Sequence, residues 1–174
     1  MSLNHPDSPD QMPLEIERKF LIRYPDRNLL RQYPGSRPVD IVQTYLLSEQ
    51  GVSRRVRAWT ENGSTVYIRT SKRSLTDRTR IEQEDQISRE EYEALLRQAD
   101  PGRRPLQKQR WCIPYESHIL EIDLYPFWSD QAVLEVELQS EEEEFLLPPE
   151  LEVLREVTGD PRYLNSSLAR EIPE

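Results

Sequence analysis

The sequence predicts a mainly β (α+β) protein, with about eight strands paired antiparallel and few helices. Three observations carry this. Successive segments alternate charged and apolar residues, which is the period of a strand with one polar face. Strand follows strand through short turns, which suits antiparallel pairing. Asn62-Gly63, in ENGS, tolerates the positive φ angles of a tight hairpin.

Residues 1–12, MSLNHPDSPDQM, are expected to form a flexible leader, and residues 13–174 a single domain. LEIERKFLI, residues 14–22, opens the strands and puts Glu15, Glu17 and Lys19 on one face. DRNLLRQY, residues 26–33, suits a short helix capped by Asp26. IVQTYLL (41–47), SRRVRAWT (53–60), STVYIRTSK (64–72) and RTRIEQEDQI (78–87) read as strands. SREEYEALLRQA, residues 88–99, reads as a helix. Ser88 and Glu91 make a capping box, and Tyr92, Leu95, Leu96 and Ala99 form an apolar stripe. LQKQRWCIP (106–114), SHILEIDLY (117–125) and QAVLEVELQ (131–139) are three further strands. Pro148-Pro149 is expected to open a helix reaching about Val157, and YLNSSLARE (163–171) to form a last one.

Composition excludes several classes. Hydrophobic residues make up 36% and charged residues 32%, yet the apolar positions recur in order, which argues against general disorder. A net charge of -9 disfavours broad binding to nucleic acid or an anionic membrane, so neither is an expected partner. Cys112 is the only cysteine, which rules out an intrachain disulfide and a multi-cysteine zinc site. No apolar run approaches the roughly 18 residues of a membrane span and no signal-peptide pattern is present, so the expected compartment is the cytoplasm. His5 and His118 are the only histidines, which leaves catalysis to carboxylates, lysine, arginine and metal-bound water.

The charged faces are sorted by sign. Arg55 with Arg57, Thr70 with Lys72, and Lys108 with Arg110 make basic or neutral rows. Glu121 with Asp123, and Glu135 with Glu137, make acidic ones, while Arg80, Glu82 and Glu84 are mixed. One such strand is explained by a half-wet antiparallel sheet. Sorting across many strands is not, because a solvated face has no need of it. Closing the sheet into a barrel would bring the charged faces inside and leave the apolar faces for helices to cover. Interior cations then need water or an anion. Phosphate fits, since arginine forks bind its oxygens bidentately and lysine acts as a point charge. The neighbouring carboxylates would repel phosphate unless a divalent cation intervened. All-oxygen donors favour a hard ion, Mg²⁺ or Mn²⁺. The composite is a metal-assisted phosphoryl or nucleotidyl transfer site.

The ordered series EIERKF, QTYL (43–46), RVR (55–57), TSK (70–72), RIEQE (80–84), LQKQRW, LEIDLY, LEVEL and REVTGDPRYLNSSLA (155–169) resembles the CYTH superfamily, the triphosphate tunnel metalloenzymes. The resemblance spans about Leu14 to Arg170. It implies an eight-stranded antiparallel β-barrel tunnel with peripheral helices, acting on a triphosphate-containing small molecule with a divalent metal. Carried over by motif, Glu15, Glu17, Glu135 and Glu137 would hold metal. Lys19, Arg55, Arg57, Lys72, Arg80, Lys108 and Arg110 would bind phosphates. Glu15, Glu17, Lys19, Lys72 and Asp123 would make the catalytic set, with Asp123 a partner of metal or water. Some family members dimerise, which leaves room for a homodimer.

The chain departs from the family pattern at YIRTSKRSLTD, where the usual glycine is missing. Arg69 and Lys72 are three apart, so on a regular strand only one of them faces the tunnel. The expected activity is hydrolysis of the terminal phosphate of inorganic triphosphate. The alternatives are a class IV adenylate cyclase and a polyphosphate- or nucleotide-binding module without turnover. Tyr45, Tyr67 and Tyr125 could line the tunnel, but strand preference favours packing; Trp59, Trp111 and Trp128 are read as packing residues, Cys112 as an inert buried thiol, and Glu141 to Glu144 as a solvated strand end.

Overall fold

Strand β1 (Leu14–Arg23) shows how the sheet closes. One of its edges pairs with β8 (Gln131–Leu138), from Ile16 opposite Leu138 to Arg23 opposite Gln131. Its other edge pairs with β5 (Thr79–Ile87), but only from Leu14 to Ile16. Between β5 and β8 lie, in order, β4 (Ser64–Ser74), β3 (Val52–Glu61), β2 (Arg37–Leu46), β6 (Leu106–Tyr115) and β7 (His118–Leu124). Each is antiparallel to the next. Because β1 touches both ends of this series, eight strands close into a barrel. The computed structural model describes residues 14–173, and the leader expected over residues 1–12 lies outside them.

The short β1–β5 contact leaves backbone groups of β1 to be satisfied farther along the same edge. A ninth strand, β9 (Val153–Glu156), does this opposite Phe20, Leu21 and Ile22. Val157 then donates its N–H to the Lys19 carbonyl at 2.9 Å. The helix expected from Pro148 to Val157 is therefore corrected to a turn and a strand. Buried main-chain groups must be paired, and the open edge of β1 outweighs the local helical preference of LEVLREV.

The other helices follow their signals more closely. Asp26 caps α1 (Arg27–Gln32), accepting the Asn28 N–H at 2.8 Å. Ser88 caps α2 (Arg89–Leu95) by accepting the Glu91 N–H at 3.1 Å, and a 3-10 turn continues over Leu96–Gln98. The last expected helix is shorter, a 3-10 turn at Pro161–Tyr163 and α3 (Asn165–Leu168). Asn62 and Gly63 both have positive φ, 51° and 78°, as the hairpin between β3 and β4 requires.

Residues opposite one another share a side of the sheet. Glu17 faces Glu137, Lys19 faces Glu135, and Glu15 faces Arg80. Arg55 lies between Tyr45 and Thr70, and Lys72 between Ser53 and Glu82. The charged rows thus share the inner face. The alternate residues of β1, β6, β7 and β8, among them Ile22, Trp111, Ile122 and Leu134, pack outward against Leu30 of α1 and Leu151. Val56 and Ile87 pack outward beneath Tyr92, Leu95 and Leu96. At one end of the barrel the inner face turns apolar, where Leu21, Tyr45 and Val133 meet Tyr163 and Leu168. No helix among the described residues is long and apolar enough to cross a membrane.

The C-terminal segment is seated by a tight approach. Gly159 has φ 75°, and a methyl group there would lie 2.8 Å from Cβ and Cγ of Asp77 in the β4–β5 loop. Gly159→Ala is expected to destabilise the protein by roughly 2–3 kcal/mol, combining left-handed strain with that clash. Gly63→Ala has the same backbone problem but open space around it. It should lower the thermal midpoint less, and equal losses would show that the Asp77 contact is unimportant.

Candidate active site

The barrel interior is a cavity of about 700 Å³. Its wall is built from alternate residues of the strands. Strand β1 supplies Glu15, Glu17 and Lys19, β3 supplies Arg55 and Arg57, and β4 supplies Lys72. Strand β5 adds Arg80, Glu82 and Glu84, β6 adds Arg110, β7 adds Glu121, and β8 adds Glu135 and Glu137. Trp59, Tyr45, Arg103, Asn165 and Ser166 also line the cavity, although none of them belongs to the expected metal- or phosphate-binding sets. Trp59 continues the inner row of Arg55 and Arg57, so parity could have placed it. Its ring lies 5.6 Å from the Arg57 guanidinium carbon and 5.9 Å from that of Arg110, which corrects its reading as plain packing. Arg103 comes from a loop and Asn165 opens the four-residue α3, a segment too short for periodicity to reveal direction.

Cations and carboxylates meet across the cavity. Lys72 Nζ lies 3.0 Å from Glu15 Oε1, Arg80 Nη1 3.1 Å from Glu17 Oε1, and Arg57 Nη2 3.0 Å from Glu84 Oε2. Lys19 Nζ lies 3.3 Å from Glu135 Oε1 and donates to the Tyr163 carbonyl at 3.2 Å. Strand β4 stays in regular register with β3 and β5, so Lys72 points inward. Arg69 points outward, where its Nη2 is 3.2 Å from Asp85 Oδ2.

Asp123 and Lys108 occupy a different place from the one expected. Neither lines the cavity. Asp123, only 1% exposed, accepts Arg110 Nε at 2.8 Å and Nη2 at 3.0 Å, and its Oδ2 lies 2.8 Å from Lys108 Nζ. Both of its oxygens face cations. The Lys108 contact is close but poorly directed for a hydrogen bond. Burial pushes the Lys108 ammonium down to about 7 against the pull of Asp123, with Arg110 and Arg55 adding to the fall. For Arg110, burial opposes the charge, but Asp123 and Glu121 outweigh it and hold the guanidinium well above its ordinary value.

The carboxylates crowd one another. Burial, then Glu135 and Glu15, push Glu17 up to about 8 despite Lys19. Glu137 is raised by burial and by Glu15 and Glu121. For Glu15 burial opposes ionisation, but Lys72 holds the group below its ordinary value. Glu135 lies well below its own, because Lys19, Arg110 and Lys108 outweigh burial. Raised carboxylates that face one another are an environment a divalent cation relieves, and the donors are all oxygen. The residues therefore fit a hard metal ion. Among the described residues no three of them converge into a cage by themselves, so such an ion needs further oxygens from substrate or water. Cys112 lies apart, its thiol pushed up to about 11 by burial.

No protein-family model matches the chain. A protein of Acetivibrio thermocellus named inorganic triphosphatase is 32% identical over 161 residues, covering 91% of this chain and 95% of that one. A protein of Nitrosomonas europaea with the same name is 35% identical over 169 residues, covering 91% and 99%. A crystal structure of an inorganic triphosphatase matches with a TM-score of 0.57 at 31% identity, over 92% of this chain and 97% of the other. With that identity across nearly the whole length, and with its EIERKF strand closing an eight-stranded barrel, the chain belongs to the CYTH superfamily of triphosphate tunnel enzymes.

Proposed function

We propose that the protein is a divalent-metal-dependent triphosphatase that hydrolyses inorganic triphosphate to orthophosphate and diphosphate inside the barrel. The observation that carries this reading is the pattern of pairing. Lys19, Lys72 and Arg80 each rest on one of Glu135, Glu15 and Glu17. A metal and a polyanion arriving together can replace these pairs and leave no buried charge unmatched. Its relatives named inorganic triphosphatase support the same substrate.

Glu15, Glu17, Glu135 and Glu137 would hold the cation, Mg²⁺ or Mn²⁺. Such a cation offsets charge on the reacting phosphoryl group and lowers the pKa of water. Lys19, Arg55, Arg57, Lys72, Arg80 and Arg110 bind phosphate oxygens, the arginines as forks and the lysines as point charges. Asp123, with Lys108, acts through Arg110 by fixing the plane of its guanidinium. Water adds to the terminal phosphorus as the bond to the bridging oxygen breaks, and diphosphate leaves.

The test is a panel of inorganic triphosphate, ATP and diphosphate with Mg²⁺ or Mn²⁺, followed by product identification. Orthophosphate should be released from triphosphate and the release should stop in EDTA. Release that survives EDTA would end the metal mechanism. Cyclic AMP from ATP would establish a cyclase, and tight binding without turnover a binding module.

Glu17 gives a pH dependence with a definite sign. In EDTA the folded protein keeps a proton on Glu17 up to about pH 8, whereas the unfolded chain releases it near 4.5. Its contribution to stability is therefore full below about pH 4.5 and lost as pH rises through about 8. A metal must expel that proton. The gap in thermal midpoint between Mg²⁺ and EDTA should widen from pH 6 to pH 8, and a constant gap would remove Glu17 from the metal site.

A further inference from the structure

Arg55 differs from the other cations of the barrel interior. Lys19, Arg57, Lys72, Arg80, Lys108 and Arg110 each lie within ion-pair distance of a carboxylate. Among the described residues, Arg55 has no such partner. Of the two other arginines on the lining, Arg103 pairs with Asp100, and Arg54, which has the opposite strand parity and is only half-buried, donates to the Leu47 carbonyl and to Gln98 Oε1. It is 8% exposed, it lines the cavity, and its Nε is sealed from water with no acceptor. Strand β3 holds it between Tyr45 and Thr70, two neighbours without charge. Its positive field reaches three nearby cations: after burial, Arg55 is among the causes that depress Arg57, Lys72 and Lys108.

A buried cation without a counter-ion is costly to keep, and an anion in the cavity removes that cost. The other cations begin from the opposite condition. Each must give up a carboxylate before it can take a phosphate oxygen, and the carboxylate left behind must find a new counter-charge. For Lys19, Lys72 and Arg80, that carboxylate belongs to the group that fits a metal.

We propose that Arg55 alone among the cavity's cations holds a phosphate group in the absence of metal, and that Lys19, Lys72 and Arg80 become available to phosphates only as their carboxylates turn to a divalent cation. The inference rests on the function proposed above and divides its phosphate-binding set in two. Orthophosphate becomes a metal-independent ligand at Arg55. The remaining phosphates of a triphosphate chain bind together with metal, each strengthening the other by the same factor.

Calorimetric titration of orthophosphate in EDTA at about pH 9, where Glu17 is ionised against Arg80, tests this without turnover. Arg55→Met should weaken binding by about tenfold or more, the scale of losing charge-assisted hydrogen bonds. Lys72→Met combined with Glu15→Gln removes a pair at constant net charge, and binding should stay within about threefold, because an already matched pair contributes little. Arg55→Met combined with Glu82→Gln restores the net charge but should not restore binding. The midpoint of unfolding in EDTA, without phosphate, should rise in Arg55→Met, since an unmatched buried charge is gone. Equal weakening in the Arg55 and Lys72/Glu15 variants would overturn the inference, as would rescue by Glu82→Gln, a fall in the midpoint, or undetectable binding to the parent protein. Failure of triphosphate hydrolysis under every metal would instead sink the proposed function, and the calorimetry would still decide the role of Arg55.

Discussion

Glu15→Gln is expected to lower turnover of inorganic triphosphate by on the order of a thousandfold while the barrel stays folded. The two effects separate because Glu15 has opposing neighbours. Burial opposes its charge, Lys72 attracts it, and Glu135 repels it. Losing the charge therefore removes an attraction and a repulsion together, and the amide can still accept a hydrogen bond from Lys72. Metal binding has no such cancellation, since the ion loses a full negative charge from a set that already needs outside oxygens. The stabilisation that Mg²⁺ gives in a thermal melt should shrink with the activity. Full activity in Glu15→Gln would take this residue out of the metal site.

Asp123→Ala is expected to destabilise the protein by about 3–5 kcal/mol, because breaking a buried ion pair strands the partner charges. Among the described residues Lys108 has no other carboxylate in contact, whereas Arg110 retains Glu121. The loss should be deeper at pH 6 than at pH 9. Lys108 already lies near 7, so at the higher pH it sheds its proton and needs no partner. Denaturant midpoints at the two pH values measure this. A normal midpoint with lost metal dependence would mean that Asp123 is a ligand after all and not a positioning residue for Arg110.

The inner wall was legible in the sequence because strand parity is a local property. Glu15, Glu17 and Lys19 sit two apart, and so do Arg55 with Arg57 and Glu135 with Glu137, so each set had to share a face. The ninth strand was not legible. LEVLREV carries an apolar and charged pattern that a helix also accepts, and only the unfilled edge of β1 makes it extended. Depth was hidden too. Lys108 and Arg110 share a face and look equivalent along β6, yet Arg110 reaches the cavity and Lys108 is buried against Asp123.

By itself the sequence determined the strand class, the polarity of each strand face and the family motifs, because these depend on spacing along a few residues. Tertiary structure decided which charges meet. Register brought Lys72 to Glu15 and sent Arg69 outward to Asp85, put Asp123 between two cations, and left Arg55 without a carboxylate partner among the described residues. Electrostatic energy between side chains depends on distance and on the water excluded between them, and both arise only when strands far apart in the chain close around one cavity.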